Sequence, residues 1–122
     1  MTPSARTRKH LTALGWHVWN VEQTIPHTFI KRDMFGWIDL LAVHPQHGIL
    51  GIQVTSGANL NARIKKARTV AGPLTACLLA GMKLVAHGWA LRGPRGARKV
   101  WTLREVGISV ADLTELEPGQ TG

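Results

Sequence analysis

KRDMFGWIDLLAVHPQHGILGIQVTSG, residues Lys31 to Gly57, decides the fold. Two apolar runs, Trp37 to Val43 and Ile49 to Thr55, flank His44-Pro45-Gln46-His47-Gly48, whose composition is that of a turn; the stretch therefore predicts a β-hairpin. Strand side chains alternate between faces. Gln53 and Thr55 accordingly share one face of the second strand, and Leu50, Ile52 and Val54 share the other. On the first strand Asp39 shares a face with Trp37, Leu41 and Val43. A suitable register brings Asp39 beside Gln53 and Thr55, although alternation alone leaves the register open.

An acid in the middle of an apolar strand is costly unless it is paired, hydrogen-bonded or bound to a cation. One reading supplies a basic partner, Arg32 or Lys31. The other supplies a metal ion, with Asp33 as a second acid brought close by the Met34-Phe35-Gly36 turn. A simple turn aspartate is the alternative for Asp33.

Charge narrows the partners. Among 122 residues, 15 Lys and Arg stand against 7 Asp and Glu, a formal net charge of +8. No acid occurs between Leu40 and Arg104, whereas basic residues cluster at Arg63, Lys65, Lys66 and Arg68 and again at Arg92, Arg95, Arg98 and Lys99. Such a field favours a polyanion, DNA first. Arg6, Arg8, Lys9 and Arg32 add to the expected nucleic-acid-binding set. A single cysteine, Cys77, excludes an internal disulfide and a cysteine-rich zinc site; within an apolar helical run it is expected to be a small buried hydrophobe. His44 and His47 flank the turn without a Cys or acid to complete a tetrahedral set. No apolar run reaches bilayer length and the N-terminal residues lack the pattern of a secretory signal, so a soluble, cytoplasmic protein without membrane association is expected.

The remaining elements follow from caps and periodicity. A helix capped by Ser4 runs to Leu14 and stops at Gly15, with Leu11 and Leu14 facing inward. Trp16 to Glu22 reads as a strand ended by Gln23 to His27, and Glu22 at its end either reaches the active face or forms a surface salt bridge. After the hairpin, Asn59 caps a helix from Leu60 to about Ala71, with Leu60, Ile64 and Ala67 inward and Arg63, Lys66 and Val70 elsewhere. Gly72-Pro73 interrupts it and Leu74 to Gly81 continues as a short helix. Lys83 to Leu91 and Lys99 to Val106 read as strands joined by a Gly- and Arg-rich loop, and Ser109 to Glu117 as a short capped helix. The expectation is a single α/β domain over residues 1–117, a mixed sheet of about five strands flanked by helices in the order α-β-β-β-α-β-β-α, with a flexible tail over 118–122.

Ile38-Asp39 followed by Gln53-Val54-Thr55, in that order of elements, resembles the PD-(D/E)xK nuclease superfamily, and within it small Holliday-junction-resolvase-like and phage-type endonucleases. The likeness spans about Ser4 to Leu103 and implies a restriction-endonuclease-like core, Mg²⁺ (with Mn²⁺ as substitute) and a DNA substrate. For a branched substrate it further implies a homodimer, a role in DNA recombination and a prokaryotic or phage-infected cell. By the same resemblance the metal ligands are Asp39, Gln53, the Val54 carbonyl and Asp33. Ile38 replaces the family's Pro, Gln53 its Glu and Thr55 its Lys. Thr55 would then orient the attacking water, and Lys31 or Lys65 would supply the missing positive charge. Related nucleases often carry a supporting acid on the first helix, and this helix has none. Two further functions fit the sequence: a catalytically inactive, basic DNA-binding module on the same fold, and an interaction domain for an acidic protein.

Overall fold

The computed structural model describes residues 1–114, and the expected tail at 118–122 lies outside them. Its centre is β5 (Gly48–Ser56), the middle strand of a five-stranded sheet. β4 (Leu40–His44) pairs antiparallel with it, Leu40 opposite Ile52 and His44 opposite Gly48, across a turn closed by Gly48 at φ 83°. β1 (His17–Asn20) extends the sheet beyond β4. On the other side β6 (Lys83–Arg92) runs parallel to β5 and β7 (Val100–Ile108) antiparallel to β6, giving the order β1-β4-β5-β6-β7. Parallel pairing requires a crossover. It is supplied by α2 (Leu60–Ala67), a 3-10 turn at Arg68–Val70, and α3 (Ala71–Leu79).

Helices cover both faces. α1 (Pro3–Ala13) lies over Leu40, Ala42, Leu50, Ile52 and Val85, with Leu11 buried among them. α2, α3 and α4 (Val110–Thr114) close the opposite face, where Leu60, Ala67, Leu74, Cys77 and Leu113 pack on Trp37, Ile38, Leu84 and Ala86. Burying a side chain of Leu or Ile size stabilises by about 1.5–3 kcal/mol, so these two layers hold the sheet rigid beneath its loops.

Several local expectations change. Thr2 caps α1, accepting the Ala5 amide at 3.1 Å, because Pro3 occupies the first helical position and leaves the cap to the residue before it. The helix therefore begins ahead of Ser4, and Leu14, past its end, is 58% exposed rather than inward. Asn59 makes no side-chain cap; it belongs to a 3-10 turn, Gly57–Asn59, that feeds α2. Gly72 and Pro73 fall in the first turn of α3, where a missing amide costs nothing, so α3 starts at Ala71 and Val70 packs against the core. The Ser109 cap is present as a reciprocal pair with Asp112: the Ser109 hydroxyl and amide both donate to the Asp112 carboxylate and the Asp112 amide bonds back.

Two very short strands were not expected. β2 (Gln23–Thr24) and β3 (Lys31–Arg32) pair with each other as a separate hairpin arm inserted between β1 and β4.

Candidate metal site at one end of the sheet

The candidate site arises where the β4–β5 ladder slips. Leu40 opposes Ile52, yet the Asp39 amide donates to the carbonyl of that same Ile52 at 2.9 Å, so two residues of one strand face one of the other. This is a β-bulge, a device that re-aims a side chain at the end of a strand. Asp39 Oδ2 then accepts the amide of Val54 at 2.8 Å, and the Asp39 carbonyl accepts the amide of Val21 from the β1 side. The acid at the centre of the sequence motif is thus pinned between β1 and β5, 8% exposed.

Two more acids converge on it. Glu22 lies two residues beyond β1 and Asp33 directly follows β3, and carboxylate oxygens of Glu22, Asp33 and Asp39 lie within 4.8 Å of one another. Asp33 is placed by the tight turn after it: its carbonyl accepts Gly36, Met34 and Ile38 form a bridge, and Phe35 and Gly36 take positive φ. Trp37, fully buried below that turn, donates its indole N–H to the Arg63 carbonyl at 2.8 Å and ties the turn to α2.

Three like charges in a half-dry site repel. Burial, then the Asp33 carboxyl within hydrogen-bonding reach and the negative charges of Asp33 and Glu22, push the Asp39 carboxyl up to about 8, against the pull of the Val54 amide. The group holds a proton near neutrality unless a cation replaces it.

The other expected site residues divide into two sets. Lys31 is brought to the acids: its ammonium pairs with Glu22 at 3.6 Å on the open rim of the cluster. Asp39 itself accepts the Val54 amide and has Asp33 and Glu22, not Arg32 or Lys31, as its charged neighbours. Gln53 and Thr55 are both buried, and the Gln53 amide nitrogen is committed to the Trp37 carbonyl at 2.6 Å. Lys65 is exposed on α2. The Val54 amide, rather than its carbonyl, makes the contact seen with Asp39.

Topology sorts the basic residues. β5 and β6 run parallel and β4 and β7 oppose them, so the end of β6, the loop from residue 93 to 99 and the start of β7 lie at the same end of the sheet as Asp39. Arg92, Arg95, Arg98 and Lys99 therefore share that end with the acids, as does the start of α1. Arg32 lines a cavity of about 350 Å³ with Val21, Gln23, Asp33, Met34 and Phe35, against the acid cluster. Arg63 sits over the 34–38 turn through its carbonyl. Arg6 packs its guanidinium 4.0 Å above the Trp101 ring, and Arg8 and Lys9 are exposed on α1. Lys66 is exposed on α2. Arg68 lies at the far end, donating to the Asp112 carbonyl of α4 at 3.0 Å.

A second polar cluster, on the α1 face, had no signal in the sequence. The Trp89 indole donates to the Thr7 hydroxyl at 2.9 Å, Thr7 lies 3.1 Å from His87 Nδ1, and His87 Nε2 lies 2.7 Å from Glu105. The Glu105 carboxylate can only accept, which assigns the proton of the neutral ring to Nε2 and leaves Nδ1 to accept from the Thr7 hydroxyl. Burial pulls the His87 pKa below its usual value, although Glu105 opposes this. Thr7 and His87 have no solvent access, so this chain of groups is a structural tie between α1 and the sheet. His87 and Thr7 are 80 residues apart, and neither local pattern points to the other.

A comparison against protein-family models, curated proteins and solved structures gives no match.

Proposed function

We propose that the protein is a divalent-metal-dependent DNA endonuclease that hydrolyses phosphodiester bonds, with Mg²⁺ held by Asp39, Asp33 and Glu22. The observation that carries this reading is the convergence of those three carboxylates beside Lys31. Like charges placed this closely are stabilised by a hard cation with oxygen ligands, and Mg²⁺ takes one or two carboxylates together with water and phosphate oxygens. In place of the acid that the PD-(D/E)xK resemblance puts on the second hairpin strand, where Gln53 stands, Glu22 beyond β1 and Asp33 after β3 bring carboxylates to Asp39. Gln53, engaged with Trp37, supports the turn that carries Asp33.

Each group then has a role. A divalent cation held by Asp39, Asp33 and Glu22 would supply Lewis-acid chemistry here, activating water for attack on phosphorus and offsetting charge on the phosphoryl and leaving oxygens. Lys31, at the rim, stands where a cation can stabilise the same charge and replace the lysine that Thr55 lacks. Arg32 lines the adjoining cavity and suits a phosphate flanking the scissile one. Arg92, Arg95, Arg98 and Lys99 extend the positive field along the same end of the sheet, which steers and holds the backbone without reading sequence.

Cleavage of a labelled four-way junction, with linear duplex and single-stranded controls, tests the proposal in Mg²⁺ or Mn²⁺ against EDTA. Metal-dependent cutting by the wild type that is lost in Asp39→Asn while DNA binding persists is the expected result. Equal binding by both proteins, with no cutting of any substrate, leaves a basic DNA-binding module on this fold.

A further inference from the structure

The hairpin arm between β1 and β4 ends in a side chain that packing does not use. Phe29 is fully exposed, and Ile30 next to it is 59% exposed. The tip is nevertheless ordered by its own hydrogen bonds. The Ile25 amide donates to the Ile30 carbonyl at 2.9 Å, closing the loop; the Thr28 hydroxyl donates to the Ile25 carbonyl at 2.9 Å and accepts the Ile30 amide at 3.2 Å. Within this loop His27 takes the left-handed conformation, φ 64°, that turns the chain. These bonds order the tip on which the exposed Phe29 ring stands.

The arm's flanks say what the ring meets. Lys31 and Arg32 form β3, and no acid occurs from Gln23 to Arg32. The arm's two ends carry Glu22 and Asp33, so the tip is anchored on the candidate metal site. Asp33 lies four positions after Phe29, a span of no more than about 14 Å, or about four base steps of duplex at 3.4 Å each.

We propose that Phe29 is a wedge that enters DNA between bases close to the scissile phosphate, which makes the substrate class DNA whose stacking is already weakened, at a branch, nick or mismatch. This rests on the reading of the protein as one that acts on DNA. Apolar wedges of this kind unstack a base step and bend the helix around the protein. A paired step resists such entry, whereas an interrupted one has already lost its stacking, so the wedge discriminates between them. Charge favours DNA over a second copy of the chain: joining two arms would bring together two basic strands on molecules that each carry a formal net charge of +8. The Lys31 and Arg32 shoulders instead suit the phosphates on either side of an opened step.

The test places 2-aminopurine beside a mismatch or nick in duplex DNA and reads its fluorescence on binding in Ca²⁺ or EDTA, with no chemistry required. Wild type should raise the signal and prefer the interrupted duplex over the continuous one by roughly tenfold, the scale of one stacked base. Phe29→Ala should lose both effects and Phe29→Trp should restore them. An exposed side chain makes the alanine variant safe for folding. The wedge is overturned if wild type binds without a signal, if Phe29→Ala behaves as wild type, or if sedimentation shows that Phe29→Ala only dissociates a dimer. Unstacking without cutting in Mg²⁺ would keep the wedge and remove the nuclease. Cutting and selectivity unchanged in Phe29→Ala would do the reverse.

Discussion

Among the described residues, two clusters of polar side chains that reach into the interior differ in how their groups are satisfied. Trp89, Thr7, His87 and Glu105 form a chain in which every donor meets an acceptor and only the terminal carboxylate, half-exposed, carries charge. Glu22, Asp33 and Asp39 form a cluster in which acceptors face acceptors, with one lysine at its edge. The first is complete as it stands; the second is completed by a proton or a cation. Polar groups that satisfy one another hold a fold together, and groups that repel one another in a protected site are kept for a ligand. That contrast is why the proposed function rests on the second cluster and not on the first.

Substitution should separate them most sharply in activity. Asp39→Asn is expected to lower metal-dependent cleavage by roughly a hundredfold or more, the scale of losing a group that stabilises transition-state charge. His87→Ala should leave cleavage per folded molecule nearly unchanged. A full loss in His87→Ala with the fold intact would reverse the assignment of the two clusters.

Stability should show the opposite pattern. His87→Ala opens a cavity and removes the partner of Thr7, a loss of about 2–4 kcal/mol by denaturant unfolding. Asp39→Asn keeps an oxygen for the Val54 amide and relieves repulsion, so it should be no less stable than wild type at pH 8.

Smaller and more specific is the pH dependence. The Asp39 carboxyl is raised from 3.8 to about 8 in the folded protein, so its favourable protonated form is fully present below about pH 4 and its contribution is lost as pH climbs toward 8. His87 is lowered from 6.5, so the unfolded state takes up its proton first and stability falls as pH drops below 6.5. Melting temperatures from pH 4 to 9 should show these slopes with opposite sign: Asp39→Asn flattens the decline that runs from about pH 4 up to about pH 8, and a His87 variant flattens the decline below pH 6.5. Slopes of the same sign would contradict the comparison.

The sheet was readable because its strands are long. The β4–β5 hairpin, β6 and β7 each carry enough alternation or continuous apolar sequence to announce themselves, and Ser109 with Asp112 spells out its cap. The arm was not readable, since two-residue strands have no period to detect and Phe29 in sequence looks like core. Leu14 was misplaced for a related reason: the helical spacing from Leu11 holds only while the helix lasts, and the helix ends before it. At the candidate site, Asp39 stood out as an acid in an apolar run and Asp33 as its neighbour across a turn. Glu22 joins them only because β1 lies beside β4, a pairing between distant segments. The bulge at Asp39 likewise depends on how three strands meet, and it turns the carboxylate to the Val54 amide in a way that strict alternation does not foresee.

Calorimetric titration of Mn²⁺ into the protein at pH 8 tests the central claim most directly, because it asks whether the repelling acids take a cation before any question of substrate. A single saturable site in wild type, absent in Asp39→Asn and Asp33→Asn and retained in Glu105→Gln, is the predicted result. No saturable binding by wild type, or binding equally strong in Asp39→Asn, would contradict the account.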